Sequence, residues 1–220
     1  MTTGIGIDYG TTSIKAAFVD ATGKPVIAVN ERGEPQTPSV VYVQEGGPPL
    51  VGRDAVEQGY VDPTRVVRNA KLQLGSTESL LPVGMPTTTP TDAVATVLAA
   101  TVADLERAVG TAVTHVVATC PANFRDDSKQ ALNEAFESLG IKVLKLLPEP
   151  TAAAFAHHAG QALSSETVVV FDFGGGTLAV SVVQMNGDQM TVLATEGVPR
   201  LGGNDLTKVI VDRILDEIEE

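Results

Sequence analysis

Two segments of this sequence share one pattern, and that pattern constrains the fold more than any other feature. Each segment consists of an apolar run, an aspartate, an aromatic residue, a turn rich in glycine or threonine, and a second apolar run. The two copies are Ile7-Asp8-Tyr9-Gly10-Thr11-Thr12, continued by 14–19, and Phe171-Asp172-Phe173-Gly174-Gly175-Gly176-Thr177, continued by 178–183. The two copies are 164 residues apart. This separation indicates two related halves rather than a short solenoid repeat.

The rest of the chain alternates strand-like apolar runs with segments of helical periodicity. The predicted strands are 4–9, 13–19, 25–29, 39–43, 113–119, 142–147, 167–173, 178–185 and 190–195. The predicted helices are 52–74 (broken at Pro63), 92–109, 126–139, 149–158 and a last one that starts near 204 and runs to the chain end. A loop is predicted at 81–90, which carries three prolines. This alternation predicts an α/β fold, and the hairpins make its sheets mixed.

The two glycine turns predict binding of phosphate. Glycine has no Cβ, so its backbone N–H can approach an anion closely, and threonine hydroxyls add further donors. An aspartate beside such a turn repels phosphate unless a cation lies between them, and hydrated Mg²⁺ is suited to that role. Asp8 and Asp172 are therefore predicted to hold Mg²⁺ through water. The alternative to phosphate binding is a pair of ordinary hairpins. The sequence contains neither a P-loop motif nor a dinucleotide-binding motif.

Charge and cysteine content exclude several other classes of protein. The net charge is −12 and the pI is near 4.6, which argues against a nucleic-acid binder and against a basic membrane anchor. One cysteine cannot form an intrachain disulfide, and the N-terminus lacks the pattern of a signal peptide, so a cytoplasmic location is expected. No metal or nucleophile role is predicted for the isolated residues His115, Cys120, His157 and His158.

The order of the remaining motifs resembles the seventy-kilodalton heat-shock (DnaK-type) chaperone family over essentially the whole chain. The matching segments are Thr37-Pro38-Ser39, Val51-Gly52, Asn69-Ala70-Lys71-Leu72, Pro121-Ala122-Asn123-Phe124, Glu149-Pro150-Thr151-Ala152-Ala153-Ala154 and Leu201-Gly202-Gly203-Asn204-Asp205. The resemblance implies an actin-like ATPase (ribonuclease H-like) fold. It places lobe I at 1–160, with a shortened peripheral subdomain at about 38–110, and the first part of lobe II at 161–220.

The resemblance also implies roles for single residues. Residues matching phosphate-binding positions are Gly10, Thr11, Thr12, Gly174, Gly175, Gly176, Thr177, Gly202 and Gly203. Catalytic roles are implied for Lys71 at the γ-phosphate and attacking water, for Glu149 at that water and the metal, and for Asp172 and Thr177. An interlobe relay is implied for Glu149, Pro121 and Lys129.

Two residues depart from the family pattern. Lys129 stands where the relay has arginine, and lysine cannot form a planar bidentate contact, so coupling through the relay is in question. Ala179 stands where the second hairpin has a further aspartate, so one carboxylate near the metal is missing. Slower hydrolysis, or nucleotide acting only as a structural ligand, is expected from that loss.

We therefore expect a fragment of a chaperone ATPase domain that binds Mg-ATP or Mg-ADP and switches a client-binding partner domain. The expected partners are a peptide-binding domain, a J-domain co-chaperone and a nucleotide exchange factor, with neither nucleic acid nor membrane. In the complete protein the expected activity is ATP hydrolysis. The alternatives are a nucleotide-sensing or scaffold module with little hydrolysis and, less favoured, a sugar or acetate kinase of the same fold.

Overall fold

The computed structural model describes residues 4–158, 165–187 and 189–219. The chain divides into two compact units by its internal contacts. Unit 1 comprises the described residues up to Cys120 together with Phe124–Leu147, and unit 2 comprises Pro121–Asn123 and the described residues from Pro148 onward. Among the described residues, no helix combines the length and apolar character that crossing a bilayer requires.

In the described part of unit 1 there are two β-sheets and three α-helices. Its strands are β1 (Ile5–Tyr9), β2 (Ser13–Val19), β3 (Pro25–Ile27), β4 (Thr37–Pro38), β5 (Val40–Tyr42), β6 (Leu50–Val51), β7 (Val66–Arg68), β8 (His115–Cys120) and β9 (Lys142–Pro148). Its helices are α1 (Arg53–Gly59), α2 (Pro90–Val109) and α3 (Asp126–Glu137). Short 3₁₀ turns cover Pro63–Arg65 and Ala70–Gln73.

The larger sheet places β1 at its centre. The strand order is β3-β2-β1-β8-β9, with β4 also paired to β2, and β1 runs antiparallel to β2 but parallel to β8. The smaller sheet has the order β6-β5-β7, and all its pairs are antiparallel. The α/β class and the mixed character of the sheets, both predicted from the sequence, are confirmed.

Helix α2 supplies most of the buried helical surface of unit 1. It starts at a capping box, in which Thr89 accepts a hydrogen bond from the Asp92 N–H and Asp92 accepts one from the Thr89 N–H. It ends at Gly110, whose φ of 74° lies in the left-handed region that stops helices. Residues four or so apart along its length, including Val94, Leu98 and Leu105, are completely buried. Helix α2 is therefore the scaffold against which the larger sheet packs.

The prediction of a mostly helical segment over 52–74 is wrong in part. Only Arg53–Gly59 is α-helical, and β7 follows the 3₁₀ turn at Pro63. The cause is the pair of β-branched residues Val66 and Val67, which align with Tyr42 and Val41 of β5. Pairing with β5, which lies earlier in the sequence, overrides the local helical pattern at these two residues.

The described residues of unit 2 form a three-stranded antiparallel sheet and two helices. Its elements are α4 (Glu149–His158), β10 (Ser165–Phe173), β11 (Thr177–Asn186), β12 (Gln189–Pro199) and α5 (Gly203–Glu219). Its core is small and is formed where Ala154 of α4 packs on Val183 and Met185 of β11. At the end of α4, His158 is buried and contacts the Glu166 carboxylate. Unit 2 therefore buries far less apolar side chain than unit 1.

Removal of one buried side chain from α2 should destabilise unit 1. Leu105 is completely buried, so Leu105→Ala is expected to lower the free energy of unfolding by about 2–5 kcal/mol, through lost burial and the cavity left behind. Urea denaturation followed by circular dichroism measures the change. Val83→Ala in the exposed loop is the control and should change it by less than about 0.5 kcal/mol. Equal effects of the two substitutions would contradict this account of the core.

Candidate functional site

Hairpin 1, residues 5–19, closes with a hydrogen bond from the Gly10 N–H to the Ser13 carbonyl oxygen, 3.0 Å long. A Cβ on residue 10 would lie 2.5 Å from that same oxygen, so only glycine fits this turn. The N–H groups of Thr11 and Thr12, at the tip of the turn, donate to no group in the described part of the chain. They are therefore available to an anion.

Ser39, which lies between β4 and β5, anchors hairpin 1. Its hydroxyl donates to the Gly10 carbonyl oxygen at 2.9 Å, and its N–H donates to the Thr12 carbonyl oxygen at 2.9 Å. It also hydrogen-bonds the buried phenol of Tyr9. In the sequence, Ser39 stands out only as part of a family segment. No local signal marks its anchoring role, because Ser39 meets Gly10 and Thr12 only through a tertiary contact.

Asp8 lies exposed at the end of β1. The Thr119 hydroxyl donates to its Oδ1 at 2.6 Å. Thr119 sits near the end of β8, which runs parallel to β1, and the carboxyl ends of parallel neighbours meet at one edge of a sheet. Sequence reasoning missed Thr119, although the predicted strand at 113–119 carried the signal. This bond orients the carboxylate beside the turn.

Lys71 is also in unit 1 and is almost completely buried, with 5 % of its surface exposed. It lies in the 3₁₀ turn that follows Asn69, whose φ of 57° is in the left-handed region. Its Nζ lies 6.0 Å from the centroid of the Phe124 ring, within the range of a cation–π contact. Lysines are seldom buried to this extent, so the position is specialised rather than a solvated surface.

Hairpin 2, residues 165–186 of unit 2, repeats the turn of hairpin 1. The Gly174 N–H donates to the Thr177 carbonyl oxygen at 3.0 Å, as Gly10 does to Ser13. The N–H groups of Gly175 and Gly176 at its tip donate to no group in the described residues. Each turn therefore has two tip N–H groups without a partner among the described residues, between a glycine and a hydroxyl residue. The two turns differ in exposure, because Gly176 is buried where it approaches Gly202, whereas Thr12 is exposed.

The aspartates occupy equivalent places in the two hairpins. Asp8 pairs across the hairpin with Lys15, and Asp172 pairs with Ala179. Position 179 is thus directly opposite the carboxylate-bearing residue, on the neighbouring strand. Ala179, which replaces the aspartate of the family pattern, therefore lies next to Asp172. An aspartate at position 179 would be a cross-strand neighbour of Asp172.

The beginning of α5 supports hairpin 2. The N–H groups of Gly203 and Asn204 donate to the carbonyl oxygens of Gly174 and Gly175, at 3.0 and 2.8 Å. The Gly202 N–H donates to the Asp205 carboxylate at 2.8 Å. A Cβ on Gly202 would lie 2.5–2.6 Å from backbone atoms of Gly175 and Gly176, so a side chain there would displace the hairpin. Sequence reasoning assigned Gly202 and Gly203 to phosphate, whereas in this structure their N–H groups bond within the chain.

The residues of the expected relay are divided between the units. Glu149 begins α4, where its charge is favourable to the helix dipole, and Pro121 belongs to the same unit. Lys129 is in α3 of unit 1, and its Nζ lies 3.4 Å from the Asp126 carboxylate.

One carboxylate lies beside each turn, that of Asp8 in hairpin 1 and that of Asp172 in hairpin 2. The described residues contain no group of three or more His, Cys, Asp or Glu side chains that could hold a metal. Mg²⁺ commonly keeps several waters and binds through one or two carboxylates together with phosphate oxygens. Asp8 and Asp172, each beside a turn whose tip N–H groups have no partner among the described residues, fit that mode of binding.

The Tyr9 phenol should make stability fall at alkaline pH. Burial raises the pKa of Tyr9 well above its usual value of 10.0, although the hydrogen bond with Ser39 opposes this. Above about pH 10 the unfolded chain loses a proton that the folded chain keeps, so the free energy of unfolding falls by about 1.4 kcal/mol per pH unit. Urea denaturation between pH 9 and 11 should therefore show a shallower decline in Tyr9→Phe. Parallel declines in the two proteins would show that the phenol does not titrate in this way.

A comparison with known families agrees with this geometry. The family described as Hsp70 protein matches residues 4–220, which is nearly the whole chain. The mixed α/β fold with flanking helices is that expected for the N-terminal part of the nucleotide-binding domain of such proteins. The chain belongs to the Hsp70 family, and it carries part of a chaperone ATPase domain.

Proposed function

We propose that both hairpins bind the phosphates of Mg-ATP, and that the bound nucleotide switches a client-binding partner domain. The observation that carries this proposal is the repeated turn: a closing Gly N–H bond, two tip N–H groups without a partner among the described residues, and an aspartate at the same place in each hairpin. An ordinary hairpin needs neither tip N–H groups without a partner nor an aspartate at that place. Membership of the Hsp70 family supports nucleotide as the source of the phosphate.

Electrostatics require a cation in this arrangement. The chain has a net charge of −12, and each turn has a carboxylate beside it, so a polyphosphate alone would be repelled. Mg²⁺ held through water by Asp8 and Asp172 would supply the missing positive charge. Phosphoryl transfer depends mainly on positioning and charge neutralisation, which such a site provides.

Three further side chains are assigned roles at the γ-phosphate in this proposal. Lys71 would neutralise charge and orient the attacking water, for which a buried ammonium is suited. Glu149 would position the same water, and the Thr177 hydroxyl would donate to a phosphate oxygen. Glu149, Pro121 and Lys129 would carry the nucleotide state to the partner domain. The J-domain co-chaperone, the exchange factor and the cytoplasmic location remain part of the proposal.

A matched pair of glycine substitutions tests phosphate binding by hairpin 1. Gly10→Ala should weaken Mg-ATP binding about tenfold or more, because the Cβ would break the turn that presents the Thr11 and Thr12 donors. Gly6→Ala on β1 is the control, since nothing lies within 4 Å of its Cβ. Isothermal titration of each variant with Mg-ATP measures the dissociation constant. Unchanged binding in Gly10→Ala would refute the role of this turn.

The same titration distinguishes the contribution of Mg²⁺ to ATP binding from that of the turn. Asp8→Asn should reduce the gain in ATP affinity that Mg²⁺ produces, because Asp172 alone would then hold the ion, while leaving the affinity for metal-free ATP unchanged or improved. A variant in which Mg²⁺ still strengthens binding as in the wild type would show that Asp8 does not hold the ion.

A second candidate is a nucleotide-sensing module with little hydrolysis, and Ala179 favours it. Residue 179 faces Asp172 across hairpin 2, where the family pattern has another carboxylate. Ala179→Asp should then raise ATP turnover roughly tenfold or more, since one positioned electrostatic group is commonly worth that much. Ala179→Asn, similar in size and uncharged, is the control for a steric effect. Equal turnover in the wild type and Ala179→Asp would show that the alanine does not limit hydrolysis.

The family match favours either candidate over a sugar or acetate kinase.

A further inference from the structure

A cleft of about 450 Å³ lies in unit 1, away from the turn of hairpin 1. Its walls come from the end of α1, the two 3₁₀ turns and strand β7. Its lining residues include Tyr60, Pro63, Val66, Arg68, Gln73 and Leu80. None of these residues belongs to the hairpins or to the other groups assigned to nucleotide.

Strand β7 forms an edge of the smaller sheet. It pairs with β5 on one side, and no described residue pairs with its other side. An unpaired strand edge is a template for an extended segment of another chain, and β-strand addition is a common mode of peptide recognition. The three residues of β7 all line the cleft, so the edge and the cavity belong to one surface.

The hydrogen-bond alternation shows which backbone groups are available. Arg65 accepts from the Val43 N–H at 3.0 Å, and Val40 accepts from the Gly52 N–H at 3.0 Å on the β6 side. In an antiparallel pair bonded and non-bonded positions alternate, so Val40 and Arg68 form a non-bonded pair. The N–H and carbonyl groups of Arg68 therefore point to the free edge, as one residue of an added strand requires.

The side chain of Arg68 gives the cleft a charge preference. It is exposed, and no described carboxylate lies within ion-pair distance of its guanidinium. Arg65 nearby is neutralised by Glu45 and Asp62, at 3.1 and 3.3 Å. A cation without a carboxylate partner among the described residues, in a chain of net charge −12, favours an acidic ligand at this point.

The remaining walls favour apolar groups. Tyr60 has 83 % of its surface exposed, and neighbouring Val61 has 77 %. Pro63 and Leu80 add aliphatic surface to the cleft, and the Gln73 amide adds a polar group. Exposed aromatic and arginine side chains are the types most enriched at the centres of protein interfaces.

We propose that this cleft binds an extended segment of a partner protein that carries a carboxylate and an apolar side chain. The segment adds a strand to β7 through the backbone of Arg68. Its Asp or Glu carboxylate pairs with the Arg68 guanidinium, and its apolar side chain packs against Tyr60, Pro63 and Leu80. This binding does not depend on nucleotide. The proposal can therefore be tested independently of the phosphate binding proposed for the hairpins.

Fluorescence polarisation of a labelled peptide tests the proposal on the 220-residue chain. The probe is a seven-residue peptide of alternating valine and glutamate, blocked at both ends and titrated without nucleotide. We expect saturable binding, with a dissociation constant below roughly 1 mM. Arg68→Gln should weaken it at least about fivefold, because a charge-assisted contact is lost. Arg125→Gln is the matched control, an exposed arginine paired with Asp127 elsewhere in unit 1, and it should bind as the wild type does.

Two further peptides separate strand addition from simple charge attraction. A version with N-methyl groups on alternate residues cannot pair its backbone and should lose most of its affinity. A version with lysine in place of glutamate should not bind. Absence of binding by the first probe, equal affinity in Arg68→Gln, or equal affinity of the N-methylated or lysine peptide would each overturn the proposal.

Discussion

A glycine N–H that donates to the carbonyl oxygen three residues later closes both turns of the candidate site. The rest of the site depends on this bond, because it fixes the tip of each hairpin so that two backbone N–H groups have no partner in the described part of the chain. It also explains why the first residue of the turn in hairpin 1 must be glycine, since a Cβ would occupy the space of the accepting oxygen. The aspartate then lies at a fixed distance along the strand from the donors.

The two units hold this common turn in place by different means. In unit 1 the turn is secured by Ser39 and by the packing of the central strand on a large core. In unit 2 the core is small, and the beginning of α5 takes over by donating to the carbonyl oxygens of the turn. Gly202 allows this close approach, because any side chain would meet the hairpin backbone. The same turn is thus secured by a packed sheet in one unit and by a helix terminus in the other.

The sequence predicts most of the elements and the repeated hairpins, because they depend on local signals. Apolar alternation, the glycine turns and the glycine that ends α2 each act within a few positions. Strand β7 was missed because its pairing with β5 is a long-range interaction that overrides the local pattern. Thr119 and Ser39 were missed as site residues for the same reason, since each reaches its partner only through the sheet. The family membership came from the order of motifs, and the match over residues 4–220 confirms it.

Residue-resolved hydrogen–deuterium exchange of the chain, with and without Mg-ATP, tests the central claim most directly. We predict slower exchange on nucleotide addition at the four tip amides, those of Thr11, Thr12, Gly175 and Gly176. Gly110, which is outside both hairpins, should not change. Protection confined to one hairpin would show that the repeated turns do not act on the same ligand. Unchanged exchange at both turns, under conditions where nucleotide binds, would show that neither turn receives the phosphates.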